Sequence, residues 1–345
     1  MSRFFLLVVT MFCAQFSFAE SLESREVNVA LVINEIRDID ISRSHLNAVA
    51  EVLMSWDSNN SVAREPGPLN TPKTLSGADL EAFLAAQWTP EFYVTNAEAP
   101  RETIVRSASL YDDGRVEYFE KFRATLTVDA GIPSYPFGEL DTQLELRAYT
   151  HPAAELRFLP ESFSLGHESG EESVVKGNWS AVGHRAEAVE AAGLRQGGKM
   201  LFSGIVYHTA ITHDFLDIAQ KIFIPLISLI FISLFINRFC SLRHSEMDNG
   251  DWRIGGQLTL LLTVFALRFS VSDEIPLTHY INLLDAVFIS SSVIVVINLI
   301  TSIFIIHLYQ SGKDTAGQRA ESLSQVALPG LTLVLTLWCL SFLGT

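Results

Sequence analysis

Cysteine is nearly missing from this chain of 345 residues, which has three: Cys13, Cys240 and Cys339. Residues 20–217 contain none, so no disulfide can brace that stretch. It must hold together by a hydrophobic core, which a stretch of about 200 residues can supply. Positive charge is scarce there too: residues 20–217 hold 31 Asp and Glu against 16 Lys and Arg, a net of −15. Such an acidic surface argues against a nucleic-acid partner and fits either cation enrichment or plain solubility. No internal repeat, low-complexity tract, glycine-rich phosphate loop or nucleophile triad signature is present. The histidines show no ligand-like spacing: His208 and His213 lie five apart on one strand, on opposite faces, and His151, His167 and His184 are scattered. No metal, no cofactor and no enzymatic activity are therefore expected.

What is present begins with a leader. Residues 1–19 read as a secretory signal, with Arg3 as its positive start, Phe4 to Phe12 as its apolar stretch and Ser17-Phe18-Ala19 as a cleavage site. The competing reading is an uncleaved anchor, for which roughly nine to twelve apolar residues are short. Residues 20–217 then read as β. Val27, Val29, Leu31 and Ile33 alternate as a half-buried strand does. Tyr111-Asp112-Asp113-Gly114-Arg115 reads as a hairpin turn between Thr103–Leu110 and Val116–Val128. Strands near 143–149, 155–159, 178–189 and 199–212 suggest an antiparallel, immunoglobulin-like sandwich. Residues 57–74 read as a long loop, and 75–86 as a short helix capped by Ser76 or its neighbour.

Residues 218–345 hold four apolar segments, at about 218–237, 254–272, 283–308 and 324–343, each long enough to span or nearly span a bilayer as a helix. The expectation is a four-helix transmembrane bundle. Arg238, Arg243, Arg253, Lys313 and Arg319 fall in or beside the first and third gaps, which the positive-inside rule places in the cytoplasm. The sandwich and the C-terminus then share the periplasmic or extracellular side of a bacterial inner membrane. In the second segment, Gly255, Thr259, Leu262, Ala266, Phe269 and Asp273 recur at spacings that place them on one helical face. A mostly small or polar stripe on such a helix suits the wall of a water-filled pore, with Leu262 and Phe269 as hydrophobic gates. The reading from packing alone is that these two residues fill an ordinary helix contact.

The order of parts resembles the pentameric ligand-gated ion channels, the Cys-loop receptor superfamily, and its prokaryotic branch in particular. Trp56-Asp57 resembles the end of that family's second strand, and Trp88-Thr89-Pro90-Glu91 its first ligand loop. Tyr135-Pro136-Phe137, followed by Asp141-Thr142-Gln143, resembles the signature loop. Pro225 matches the proline of the first membrane helix, and Pro276, Tyr280 and Asp285 match the stretch joining the second and third. The absent loop disulfide and the short linker at 309–323 are similar to prokaryotic members. The resemblance implies a homopentamer in membrane lipid, with one helix per subunit lining a central pore and ligand sites between sandwiches.

On that resemblance Asp251 and Asp273 form charge rings at the two mouths and Thr259 a hydrophilic narrowing. The carboxylate rings favour permeating monovalent cations. Arg253 is expected to face away from the axis, and Arg268 to pair with an acid on the flank. Glu51, Phe92, Tyr93, Tyr149, Arg195 and Lys199 fall at ligand-binding positions for an unidentified small-molecule agonist. The capping loop has no aromatic residue, and its Arg195 and Lys199 suit an anion better than an amine. Tyr135, Pro136, Phe137, Asp141, His213 and Pro276 fall at the interface coupling sandwich to helices. The signature loop departs from the pattern by Gly138-Glu139-Leu140, and His213 stands where an arginine is usual. A histidine changes charge near neutral pH, and Asp141 or Asp129 would pair with its charged form, so protons are a rival stimulus. The alternative from another class is a non-conducting, membrane-anchored ligand sensor.

Overall fold

The computed structural model describes residues 24–58, 72–129, 131, 134–166, 173–195, 198–240, 247–272 and 280–344. The leader, most of the loop after Asp57, and Asp273 and Pro276 lie outside the described residues. Among these residues, ten strands form two sheets. The six-stranded sheet has the order β3-β5-β6-β2-β1-β8 and the four-stranded sheet β4-β7-β10-β9. In the first, β1 is Arg25–Asp40, β2 His45–Asp57, β3 Lys73–Leu75, β5 Glu102–Leu110, β6 Arg115–Thr127 and β8 Leu156–Leu165. In the second, β4 is Phe92–Val94, β7 Glu139–Ala148, β9 Trp179–Arg195 and β10 Gly198–His213.

The alternation read in the sequence sorts side chains between faces as a pleated strand requires. Val27, Val29, Leu31 and Ile33 of β1 are buried, as are Leu46, Ala48, Ala50, Val52, Met54 and Trp56 of β2. They meet Leu140, Leu144, Leu146, Ile205, Tyr207 and Ile211 of the second sheet in one continuous core. The hydroxyl of Ser203 on β10 accepts from the Phe158 amide of β8 at 2.9 Å, linking the sheets. At the β5–β6 hairpin, Tyr111 N–H donates to Arg115 O (2.9 Å) and Gly114 N–H to Tyr111 O (3.0 Å). Gly114 has φ +94°, which a side chain would strain. One pairing departs from the expected antiparallel sandwich: β1 and β8 run parallel, Arg25 opposite Leu156 through Ile33 opposite Leu165.

Among the described residues, five helices accompany the sheets. The short α1, Gly77–Ala86, follows Ser76, whose side chain makes no capping bond. The others are α2 (Phe215–Phe239), α3 (Met247–Ser270), α4 (Leu283–Gln310) and α5 (Asp314–Leu340). The start of α2 widens into a π turn at Ala219–Phe223 just before Pro225. That turn accommodates a ring that has no N–H to donate.

The expected immunoglobulin-like sandwich with a four-helix transmembrane bundle is corrected here. Among the described residues, only three helices, α2, α4 and α5, are long and apolar enough to cross a membrane. The segment expected as the second span, now α3, fails that criterion for a physical reason. It begins at Met247, seven residues before the apolar stretch, and takes in Asp248, Asn249, Asp251 and Arg253, with Gln257 and Arg268 further along. Burial inside the bundle, rather than an apolar surface, accommodates several of these polar groups. Similarly, α5 begins at Asp314, so most of the expected 309–323 linker is helix.

Candidate functional site

The two faces of α3 differ in what covers them. One carries Arg253, Gln257, Leu260, Val264 and Val271, all buried against neighbouring helices. The other carries Asp251, Gly255, Thr259, Leu262, Ala266 and Phe269, every one exposed in the single chain. Leu262 is 62% exposed and Phe269 77%, which is unusual for large apolar side chains on a packed helix. The stripe predicted from spacing is thus the face that the protein's own fold leaves uncovered. Thr259 and Thr263 turn their hydroxyls back onto the helix, donating to Gly255 O (2.9 Å) and Thr259 O (2.8 Å). Asp251, expected just before the helix, lies within its first turns. With Trp252, Gly255, Gly256 and Thr259 it borders an open apolar groove between α3 and Ile232 and Ile236 of α2.

Behind that face lies a polar network that spacing did not reveal. Arg253 is fully buried, as expected for a residue about 200° around the helix from Asp251. Its Nε donates to Ser302 Oγ of α4 at 2.9 Å, and its Nη1 donates to Cys240 O at 3.3 Å. Its Nη2 donates to Asn237 Oδ1 of α2. Glu321 of α5 closes the set, with Oε1 3.7 Å from Nη1 and Oε2 accepting from the Tyr309 hydroxyl at 3.1 Å. One layer along, Gln257 and Ser233 exchange bonds at 2.7 and 3.0 Å, and Asn298 donates to the Ser233 hydroxyl at 2.8 Å. The available signal was the placement of Ser291, Asn298 and Ser302, polar residues in an otherwise apolar α4 that share its inward face. Arg268 pairs with Asp285 of α4 at 2.6 Å, as expected of a flank residue.

The coupling residues are brought together in part. The Tyr135–Pro136 peptide is cis, and Tyr135 is buried with its ring edge-on to His213 at 6.5 Å. Trp179, not singled out from sequence, stands against His213 at 4.8 Å. Phe137 lies against Phe215 (5.6 Å) and Phe223 (5.8 Å), docking the loop on the start of α2. The rings of Tyr135, Trp179 and His213 border a cavity of about 280 Å³ that also takes in Asp38, Lys176 and Asp217. The expected pairing of Asp141 with His213 is corrected. Asp141 Oδ2 lies 2.8 Å from His208 Nδ1 and 3.7 Å from Arg185, in a cross-strand cluster on β7, β10 and β9. His213 Nδ1 instead lies 3.1 Å from the Asp214 carbonyl. The reason is strand register: β7 pairs Asp141 with Ala210, three residues short of His213.

The ligand-binding candidates divide between the sheets. Phe92 is a core residue, its ring under the Arg101 guanidinium at 4.0 Å. Tyr93 and Tyr149 stand outside, edge to face at 5.9 Å, and Lys199 is exposed at the start of β10. The Arg195 side chain lies outside the described residues. Glu51, on the other sheet, is engaged by Lys121 Nζ (3.0 Å) and Asn34 Nδ2 (2.7 Å). A single chain therefore does not bring Glu51 to the tyrosines. No group of three or more His, Cys, Asp or Glu among the described residues could hold a metal ion.

No family model matches the chain, and no curated protein matches it either.

Proposed function

We propose that the chain is one subunit of a homopentameric, cation-selective channel of a bacterial inner membrane, with the β domain on the periplasmic side. The observation that carries this reading is the uncovered face of α3. A helix packed on α2 and α4 through a mixed polar and apolar face, yet exposing Asp251, Thr259, Leu262 and Phe269, needs something beside that exposed face. Lipid is a poor match for the Asp251 carboxylate, whereas an aqueous pathway shared with other copies satisfies it. Leu262 and Phe269 then form rings that exclude water in the shut state. Asp251 supplies one carboxylate per subunit at the cytoplasmic mouth. A periplasmic small molecule or protons acting on the β domain reach α2 through the Tyr135–Phe137 loop and His213.

Reconstitution of the purified protein in planar bilayers tests the reading. Current is expected on a pH step or on addition of a periplasmic agonist. Silence across a broad screen of both, with pentamers intact by native mass measurement, supports a non-conducting sensor instead. Asp251→Ala should move the reversal potential in a NaCl gradient toward the chloride potential, and an unmoved value would remove Asp251 from the mouth. His213→Phe keeps a ring between Tyr135 and Trp179 while removing the titratable nitrogen. It should shift or flatten the pH–current curve, and a superimposable curve would exclude His213 as the proton site.

A further inference from the structure

The polar network behind α3 has one feature that packing alone does not require. Arg253 and Asp251 lie two residues apart at the same end of one helix, with opposite charges and opposite orientations. About 10 Å, the width of a helix, separates their faces. In a closed ring each subunit would place one positive and one negative charge at the same level of the pathway. Yet Arg253 is 0% exposed, so bulk ions cannot screen it. Among the described residues, the carboxylate against its guanidinium is Glu321 on α5, 3.7 Å away and itself buried. The other contacts, Ser302 Oγ, Asn237 Oδ1 and Cys240 O, are neutral acceptors that solvate the charge without cancelling it.

We infer that Glu321 is a charge-selectivity residue acting at a distance. By neutralising Arg253 behind the pathway wall, it leaves Asp251 to set the field at the mouth. This rests on the channel reading above. The physical reason is that a low-dielectric wall transmits an uncompensated charge far better than salt water does. With Glu321 ionised, Arg253 and Glu321 form a short dipole whose field falls quickly. Without it, five bare guanidinium charges stand one helix-width behind five carboxylates and offset them. Glu321 touches no permeating ion, so it is a positioning residue for charge. Tyr309, which donates to its second oxygen, holds that charge on the guanidinium side.

The test is the reversal potential of reconstituted channels in a NaCl gradient, for wild type, Glu321→Gln, Arg253→Gln and the double variant. Glutamine keeps the volume and shape of Glu321; at position 253 it is smaller than arginine and keeps an uncharged donor in place of the guanidinium. Glu321→Gln should lower the cation-to-anion permeability ratio by roughly tenfold. Arg253→Gln should remove that cation from Glu321 and raise the ratio at alkaline pH, where the buried carboxyl stays ionised, and the double variant should return to the wild-type value. Opposite-signed shifts with restoration are a signature that a purely structural role does not produce. If one single variant fails to assemble, the other single and the double still carry the comparison. Wild-type cation current with the same ratio in all conducting variants, or shifts of one sign, overturns the inference alone. Absence of wild-type current, or an anion-selective wild type, overturns the channel or selectivity reading first and this inference with it.

Discussion

Leu262→Ala channels are expected to open at roughly one-tenth of the stimulus that wild type needs, with slower closing, measured as a leftward shift of the current–stimulus curve. The argument starts from exposure. Leu262 is 62% exposed in the single chain, so most of its surface is free to be buried by equivalent side chains of other copies. In the ring proposed above, these side chains would shield one another and expel water when shut and would face it when open. Full burial of a leucine is worth about 1.5–3 kcal/mol, most of which alanine forfeits. Only a fraction of that area changes between states, but five copies contribute. A differential of about 0.3 kcal/mol per subunit sums to about 1.5 kcal/mol, close to a factor of ten. Phe269→Ala should act in the same direction at the other ring. An unchanged curve for Leu262→Ala would place the constriction elsewhere on α3.

The strand content was legible because alternation is a local property. Val27 to Ile33, the Tyr111–Arg115 hairpin and the strand ending at Thr212 could each be read from a window of ten residues or fewer. The parallel pairing of β1 with β8 was not, since it joins segments more than a hundred residues apart and no local signal distinguishes it. The span count failed for a related reason. Hydropathy registers what a helix shows to lipid, so it missed the amphipathic first turns of α3 and α5, where Asp251, Arg253 and Glu321 sit. Arg253, Gln257 and Arg268, set into its apolar stretch, explain why α3 drops out of the helices apolar enough to cross a membrane, whereas α5, charged at its start, remains among them.

The candidate site divides along the same line. The stripe from Gly255 to Phe269 follows from helical geometry, and all of its described members lie on the uncovered face. The partners of Arg253 come from three other helices, and no spacing rule could name Asn237, Ser302 and Glu321 together. Asp141 shows the limit of transferring a motif. Its position in the signature loop suggested a contact with His213, but the register of β7 against β10 places it beside His208. Asp129, the other acid named, lies instead near the Tyr280 hydroxyl, where burial first and the Asp129 charge second raise the phenol's pKa. This second contact ties the sandwich to the segment leading into α4.

Arg101→Met should cost the folded protein about 3–5 kcal/mol at neutral pH, the largest loss expected from one substitution in the β domain. Glu120 on β6 is 1% exposed, and Arg101 grips both its oxygens, through Nε at 2.8 Å and Nη2 at 3.0 Å. Thr103 donates to Oε1 at 2.7 Å and Tyr118 to Oε2 at 2.9 Å. Arg101 also donates to Phe92 O at 2.9 Å, so the cluster fastens β4 of one sheet to β6 of the other. Burial works to raise the Glu120 pKa, but the bonds and charge of Arg101, with Thr103 and Tyr118, outweigh it and hold the carboxyl below its ordinary value. The pair's contribution is therefore full above about pH 4.3 and is lost as the pH falls through the lower folded value. Removing Arg101 reverses the sign. Burial then dominates, the carboxyl takes up a proton more readily, and the penalty of an unpaired buried charge disappears in acid. The gap in thermal midpoint between wild type and Arg101→Met, in detergent, should be about 6–15 °C at pH 7.5 and narrow clearly by pH 5. Pairing Arg101→Met with Glu120→Gln should recover part of the loss at pH 7.5 and abolish most of the pH dependence. A gap independent of pH would mean that Arg101 acts by packing on Phe92 and Phe122, and not by holding the charge of Glu120.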